Sequence, residues 1–212
     1  MNRDQFNSLG DRPNMGIQLP HSTSMKIPVE VKGEVFLKMV DSRTGELIHE
    51  EHLRNIITLD ASILAALLLK DPNSRANGIN MLAVGTGATG ALLSPNAPDN
   101  RQRKLNAEIS RKGFTSTTFR DGSGAAVAIP TNVVDYTCTF DESEAVGPLN
   151  EMGLLSTISD NPAVTTPNPN TFPTRDVTVD LTLYDILFNY LTFSVISKPN
   201  TARLSITWRI TH

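Results

Sequence analysis

Apolar and polar residues alternate in many short stretches of the chain, and turn-forming residues separate these stretches. The first two alternating stretches lie on either side of Asp41-Ser-Arg-Thr-Gly45-Glu, where Asp opens a turn and Gly stands near its end. The pattern therefore predicts a β-hairpin over residues 33–53.

One stretch has helical rather than strand spacing. Thr58 can cap a helix N-terminus, and Asp60 would complement the helix dipole in the first turn. The apolar residues that follow recur at i, i+1, i+4 and i+5, which places them on one helix face: Ile63, Leu64, Leu67 and Leu68. We predict one helix over about 58–70, ending before Pro72.

Strand patterns continue from residue 79 onward. We predict strands at 79–84, 113–120, 125–129, 133–140, 150–156, 175–181, 190–196 and 203–211, with turn sequences such as Asp121-Gly-Ser-Gly124 between them. Residues 105–112 fit a helical turn or a strand equally well. The last strand alternates most clearly, because Leu204, Ile206, Trp208 and Ile210 would share one face. The fold class is mainly β, an antiparallel β-sandwich or meander with one α-helix.

The apolar residues of segment 1–28 have neither helical nor strand spacing. They are isolated among polar residues and three prolines, so this segment cannot bury them by itself. We predict an extended N-terminal arm that docks on a neighbouring subunit through Phe6, Leu9, Ile17 and Leu19. Residues 29–212 form a single β-rich domain, in which the proline-rich loop 160–173 is a second candidate contact segment.

Composition narrows the function classes. The 212 residues carry a net charge of −3, and no basic run lies among aromatic residues, which argues against nucleic acid as the main ligand. The longest apolar run, residues 63–69, falls well short of the about 18 residues that span a bilayer, so we expect no membrane insertion. Cys138, the single cysteine, lies in an alternating stretch and is predicted to be a buried apolar residue.

The string Gly85-Thr-Gly87-Ala-Thr-Gly90 follows a short apolar strand and resembles a dinucleotide-binding turn. Such a turn requires a helix that opens at its last glycine, and Pro95 and Pro98 deny that helix. An acidic ribose-binding residue at the end of a following strand is also missing. We therefore predict a structural turn at Gly85, Gly87 and Gly90, and no bound cofactor.

Other candidate sites have simpler structural explanations. His49 and His52 are three apart, so on a strand their imidazoles point to opposite faces and do not share a metal. The acidic run Asp141-Glu-Ser-Glu144 fits a solvated turn better than a calcium loop. An ion pair explains Glu108 and Arg111 more simply than acid-base catalysis. No metal site and no catalytic residue is predicted.

Five segments, in this order, resemble tailed-bacteriophage virion proteins of the baseplate and tail-fibre attachment type. They are Arg54-Asn-Ile-Ile-Thr58, Asn80-Met-Leu-Ala-Val-Gly85-Thr-Gly87, Leu105-x-x-Glu108-x-x-Arg111, Leu149-Asn-Glu151-Met-Gly153-Leu154, and the strand that begins at Leu204. The resemblance covers about residues 54–212. It implies one small β-rich domain.

The resemblance also implies a non-enzymatic structural subunit of the virion, made in the host cytoplasm and assembled in multiple copies with itself and other virion proteins. In that scheme Glu108, Arg111 and Glu151 are polar side chains that hold neighbouring segments together at a core or an interface. Two alternatives remain open, a neck or capsid-associated virion protein and a β-sandwich module that binds a host glycan. The nearest aromatic residues for the glycan are Tyr184, Phe188 and Tyr190.

Overall fold

A computed structural model describes residues 31–71, 78–157 and 184–212. In chain order the described elements are β1 (Lys32–Asp41), β2 (Leu47–Arg54), β3 (Ile56–Ile57), α1 (Leu59–Lys70), β4 (Met81–Gly85), β5 (Gly90–Ala91), β6 (Ser94–Pro95), β7 (Glu108–Gly113), β8 (Ser116–Arg120), β9 (Ala126–Val127), β10 (Val133–Phe140), β11 (Gly147–Ser156), β12 (Ile186–Lys198) and β13 (Ala202–Thr211). The described part of the chain is thus mainly β with one α-helix, as the sequence predicts.

The longer strands form two antiparallel sheets. The first sheet, sheet A, has the order β2-β1-β13-β10-β8-β9, and the second, sheet B, has the order β3-β12-β11-β4-β7. Strands β5 and β6 form a separate short hairpin. In sheet A the last described strand, β13, lies between β1 and β10. It pairs along its whole length with β1, and residues 204–211 pair with β10.

Sheets A and B face each other across one apolar core. Alternation on β13 is as predicted, since Leu204, Ile206, Trp208 and Ile210 are all buried. They share the core with residues of sheet B such as Leu82 and Val84 of β4 and Met152 and Leu154 of β11. The architecture is therefore an antiparallel β-sandwich. Sheet B is also apolar on its other face, where a second buried cluster contains Met81, Ala83, Leu105, Leu155, Leu187 and Tyr190.

Helix α1 covers part of this core, but two details of its prediction are wrong. Ile63 is exposed, and the buried side chains of the helix are Asp60, Ala61 and Leu64. The Thr58 hydroxyl makes no cap hydrogen bond and donates instead to the Leu187 carbonyl oxygen of β12. A tertiary acceptor thus outcompetes local capping, and it attaches the start of the helix to sheet B.

The predicted strand over 113–120 is two strands. Strand β7 ends at Gly113 opposite Met81 in sheet B, and β8 begins at Ser116 in sheet A. The intervening residues carry the chain from one sheet to the other, and the Thr115 amide already donates to the Thr137 carbonyl oxygen of sheet A. Of residues 105–112, which the sequence left open between a helical turn and a strand, 108–112 are strand.

The hairpin formed by β5 and β6 is not among the elements that the sequence predicts. Its tip docks on β12 through main-chain carbonyl groups, since the Val195 amide donates to the Leu92 oxygen at 2.9 Å and the Ser194 hydroxyl to the Leu93 oxygen at 2.8 Å. With both carbonyl groups turned inward, the side chains of Leu92 and Leu93 are 71% and 81% exposed.

A buried carboxylate joins three strands on the outer face of sheet A. Asp135 of β10 accepts hydrogen bonds from Arg209 of β13 at 2.7 and 2.9 Å and from Arg120 of β8 at 2.8 Å. Burial would raise the pKa of Asp135, but these two guanidinium groups outweigh it and lower the pKa below its ordinary value. Three neighbouring strands are therefore joined by side chains as well as by their main chains.

Several predictions lie outside the described residues: the arm of residues 1–28 with its contact residues Phe6, Leu9, Ile17 and Leu19, the strand at 175–181 and the loop at 160–173. Within the described residues, no helix has both the length and the apolar character needed to cross a bilayer.

Cys138 provides a test of the core. Its side chain is buried in the sandwich, as predicted, and burial raises the pKa of its thiol to about 12. Because the thiolate is the reactive form, we expect iodoacetamide at pH 8 to label the native protein at least about 100-fold more slowly than the urea-unfolded chain. Mass spectrometry of timed aliquots measures both rates, and similar rates in the two states would contradict this packing.

Candidate functional site around Glu151

The most densely hydrogen-bonded buried side chain at the glycine loop is Glu151 of β11, which is fully buried. Its Oε1 accepts hydrogen bonds from the amides of Gly87 at 3.0 Å and Ala107 at 2.8 Å. Its Oε2 accepts from the amide of Asn106 at 3.0 Å and the hydroxyl of Tyr190 at 2.7 Å. Four donors thus compensate the carboxylate for the water it has lost.

The glycines of the loop are required by this contact. A Cβ at Gly87 would lie 2.4 Å from the Ala107 nitrogen and 2.7 Å from Glu151 Oε1, and a Cβ at Gly85 would lie 2.5 Å from the Ala107 oxygen. Gly90 has a positive φ of 105°, which favours glycine for a different reason. Two glycines therefore allow close approach, and the third allows a turn.

The loop resembles a phosphate-binding turn because it does bind an anionic group through its main chain, and that group belongs to the protein itself. Asn150 extends the contact, because its side chain accepts from the Ala88 amide at 3.0 Å and donates to the Ala88 oxygen at 3.2 Å. Adjacent residues of β11 thereby hold two consecutive residues of the loop.

Tyr190 of β12 completes the site from the neighbouring strand. It is buried, and its hydroxyl accepts from the Asn106 side chain at 3.2 Å while donating to Glu151. Burial, together with the hydrogen bond and the charge of Glu151, raises the pKa of Tyr190 above its ordinary value. The hydroxyl therefore serves as a donor to the carboxylate.

Glu108 and Arg111 lie on the same face of β7 as an ion pair. Residues three apart on a regular strand point to opposite faces, but here Ala83 pairs with Arg111 while Gly85 pairs with Glu108, so the bulge shifts the alternation by one residue. Arg111 Nη2 donates to Glu108 Oε2 at 2.7 Å.

Arg111 has a second partner that sequence reasoning missed. Its Nη1 donates to Asp185 Oδ2 at 2.6 Å, and both side chains are buried. Burial would lower the pKa of Arg111, but Glu108 and Asp185 outweigh it and raise the pKa. Nothing in the spacing of residues 111 and 185 indicates their contact, because it depends on how β7 and β12 are placed in sheet B.

The structure separates the two histidines as predicted. His49 lies opposite Met39, whereas His52 lies opposite Phe36 and stacks on its ring at a centroid distance of 4.4 Å. Within residues 31–71, 78–157 and 184–212, no group of three or more His, Cys, Asp or Glu side chains is placed to hold a metal ion.

The acidic run 141–144 is a turn held by basic side chains. Lys112 Nζ lies 2.6 Å from Glu144, Arg203 contacts Asp141 at 3.1 Å, and buried Lys198 donates to the Asp141 carbonyl oxygen at 2.7 Å. Desolvation lowers the pKa of Lys198. Lysine and arginine side chains therefore contact the acidic turn that was considered as a calcium loop.

The aromatic residues considered for a glycan are mostly inside the protein. Phe188 and Tyr190 are 7% and 2% exposed, and Tyr190 is engaged by Glu151. Stacking on a sugar requires an exposed ring face, which Phe188 and Tyr190 do not offer, whereas Tyr184 is half-buried.

The chain matches no known family model. No curated protein matches it either. The chemistry of the site therefore has to be interpreted from its own geometry: a carboxylate with four donors fixes two loops against β11 and β12.

A pair of glycine substitutions tests this site. We expect Gly87→Ala to lower the free energy of unfolding by about 2–3 kcal/mol, because the new Cβ would collide with main-chain atoms that cannot move independently. Urea unfolding followed by circular dichroism gives the value. The control, Gly122→Ala, places the same methyl group in open space, and its effect should be within about 0.5 kcal/mol. Equal effects of the two changes would refute the close approach at Gly87.

Proposed function

We propose that this protein is a non-enzymatic structural subunit of a bacteriophage virion, a tail, baseplate or fibre-attachment component present in multiple copies. The observation that carries the proposal is that the five segments with virion-protein resemblance contact one another in two groups, the second, third and fourth in one and the first and fifth in the other. Main-chain amides of the second and third segments donate to Glu151 of the fourth. Trp208 of the fifth donates to the Asn55 side chain of the first at 3.2 Å.

These contacts explain what the motif residues do in a structural protein. The polar groups of Glu151, Glu108 and Arg111 bind other groups of the same chain, and they join loops to strands inside the domain. In this proposal the segments resemble the virion family because they build the same small domain.

Exposed apolar side chains supply contact sites for an assembly. Leu69 and Leu59 on the helix, together with Leu92 and Leu93 on the hairpin tip, are all exposed, Leu69 to 88%. Single exposed leucines are ordinary, but several on different elements fit a subunit that contacts more than one neighbour. In an assembly of many copies, several such weak contacts together would give strong overall binding through avidity.

The virion role is tested on particles of a phage that encodes this chain. Quantitative mass spectrometry of purified particles should find the chain at a fixed copy number, and gold-labelled antibodies should mark one position on the tail in electron micrographs. A major capsid subunit measured in the same sample calibrates the copy number. Absence of the chain from purified particles would exclude the proposal, and label on the head would favour the capsid-associated alternative.

The predicted arm is tested by changing its apolar residues together. We expect Phe6→Ser/Leu9→Ser/Ile17→Ser/Leu19→Ser to leave the thermal unfolding of the isolated protein unchanged within error but to reduce its incorporation into particles at least about tenfold, because the arm's apolar contacts would be lost. The matched control changes four polar residues of the same segment, Asn2, Asn7, Asn14 and Gln18, to serine. Normal incorporation of the apolar variant would show that the arm does not dock.

A further inference from the structure

Helix α1 is apolar on both of its faces. One face packs on the sandwich through Ala61 and Leu64, and Leu67 and Leu68 contact the same core. The opposite face, the outer face of α1, is exposed, and apart from one serine and one lysine its side chains are apolar: Leu59, Ile63, Ala65, Ala66 and Leu69. A helix that is apolar all round is normally covered on all sides, so a further segment is expected to lie on the outer face.

The arm contains a segment whose composition suits this face. Residues 13–25 carry no Asp, Glu, Lys or Arg, although 19% of the whole chain is charged. No charge of this segment would therefore lose its water on contact with apolar side chains. Gly16 and Pro20 disfavour a helix within it, which leaves an extended chain.

We propose that residues 13–25 of one copy cover the outer face of α1 in a neighbouring copy. The inference rests on the proposed docking of the arm on a neighbouring subunit, and it names the surface that receives the arm.

Three apolar residues of the segment match the spacing of the helix. Although the apolar residues of the arm have no period over its whole length, Met15, Ile17 and Leu19 are two residues apart. An extended chain would place them on one side, about 6.6 Å from one another. Leu59 and Ile63 are four residues apart on α1, or about 6 Å along its axis. The three side chains therefore fit along this 12-residue helix, which is about 18 Å long.

The arm leaves the domain beside the helix. Strand β1 begins at Lys32, and the carbonyl oxygen of the next residue, Gly33, accepts a hydrogen bond from the Asn55 amide at 3.4 Å. Asn55 lies shortly before Leu59, the first residue of the helix. Leu19 lies 13 positions before Lys32, so it can reach at most about 45 Å from that point. Copies that bring their α1 sides together can therefore exchange arms.

Direct packing of two α1 helices is the other arrangement that would cover the outer face. Two helices about 18 Å long bury far less than the about 1,200 Å² of a stable interface. Helix-to-helix packing would also leave the apolar residues of the arm to find another surface. Arm exchange covers both sets of apolar side chains at once, so the arm is the occupant that the sequence and the exit point favour.

Disulfide trapping between two full-length variants tests the proposal. One variant carries Ile17→Cys and the other Ile63→Cys, and the natural Cys138 is buried, so it does not compete. In a mixture oxidised with copper phenanthroline we expect the mixed disulfide to form at least about tenfold faster than between Ile17→Cys and Ile129→Cys, because docking raises the effective concentration. Ile129 is 76% exposed and Ile63 38%, so accessibility alone would favour the control. A tag on one variant identifies the mixed pair in non-reducing electrophoresis.

Peptide competition provides a second measurement on the same mixture. A synthetic peptide of residues 13–25 at about 1 mM should slow the mixed disulfide at least about fivefold, whereas the same peptide with Ile17→Ser/Leu19→Ser should leave the rate unchanged. Circular dichroism establishes that each variant is folded.

Three results would overturn the proposal: equal rates at Ile63 and Ile129, no competition by the natural peptide, or faster pairing of two Ile63→Cys chains with each other. The copy-number measurement on particles does not depend on α1, so it tests the virion role separately.

Discussion

The interaction on which the domain depends is the burial of the Glu151 carboxylate. A carboxylate taken out of water is strongly destabilising unless donors surround it, and here the donors come from two loops and a neighbouring strand. The glycine loop and residues 106–107 are consequently fixed where their amides reach the two oxygen atoms. Gly85 and Gly87 follow from the same constraint, because no side chain fits between the loop and the carboxylate.

This constraint explains why the loop looks like a nucleotide-binding turn. Glycine lets a main-chain amide approach an anion closely, whether the anion is a phosphate or, as at Gly87, a carboxylate of the same chain. In dinucleotide-binding folds the anion is the ligand, and here it is a residue 64 positions away from the donor Gly87. The motif therefore indicates close main-chain contact with an anion, and it does not identify that anion.

The spacing of apolar residues within a segment predicted the secondary structure of that segment. The hairpin at 33–53, the helix at about 58–70 and the alternation of β10 and β13 agree with the described structure, because each depends on periodicity within one element. Contacts between distant segments were not predictable in the same way. Tyr190 reaches Glu151 because β12 pairs with β11 in sheet B. Asp185 precedes β12 and contacts Arg111 of β7, although two strands lie between β12 and β7 in the sheet. The exposed position of Ile63 follows from how α1 docks. The side-by-side position of Glu108 and Arg111 depends on a bulge that is visible only in the pairing of β4 with β7.

The position of β13 has a consequence for the order in which the domain folds. Residues 202–211 pair with β1 at residues 32–41 on one side and with β10 on the other, so the strand in the middle of sheet A is the last of the described strands in chain order. Before β13 is made, β1 and β2 pair only with each other among the described strands, and a two-stranded hairpin is marginal in water. Contacts across so many residues slow folding. In a growing chain the β1–β2 hairpin therefore has no pairing partner from β13 until residues 202–211 have been synthesised, and the middle of sheet A closes only then.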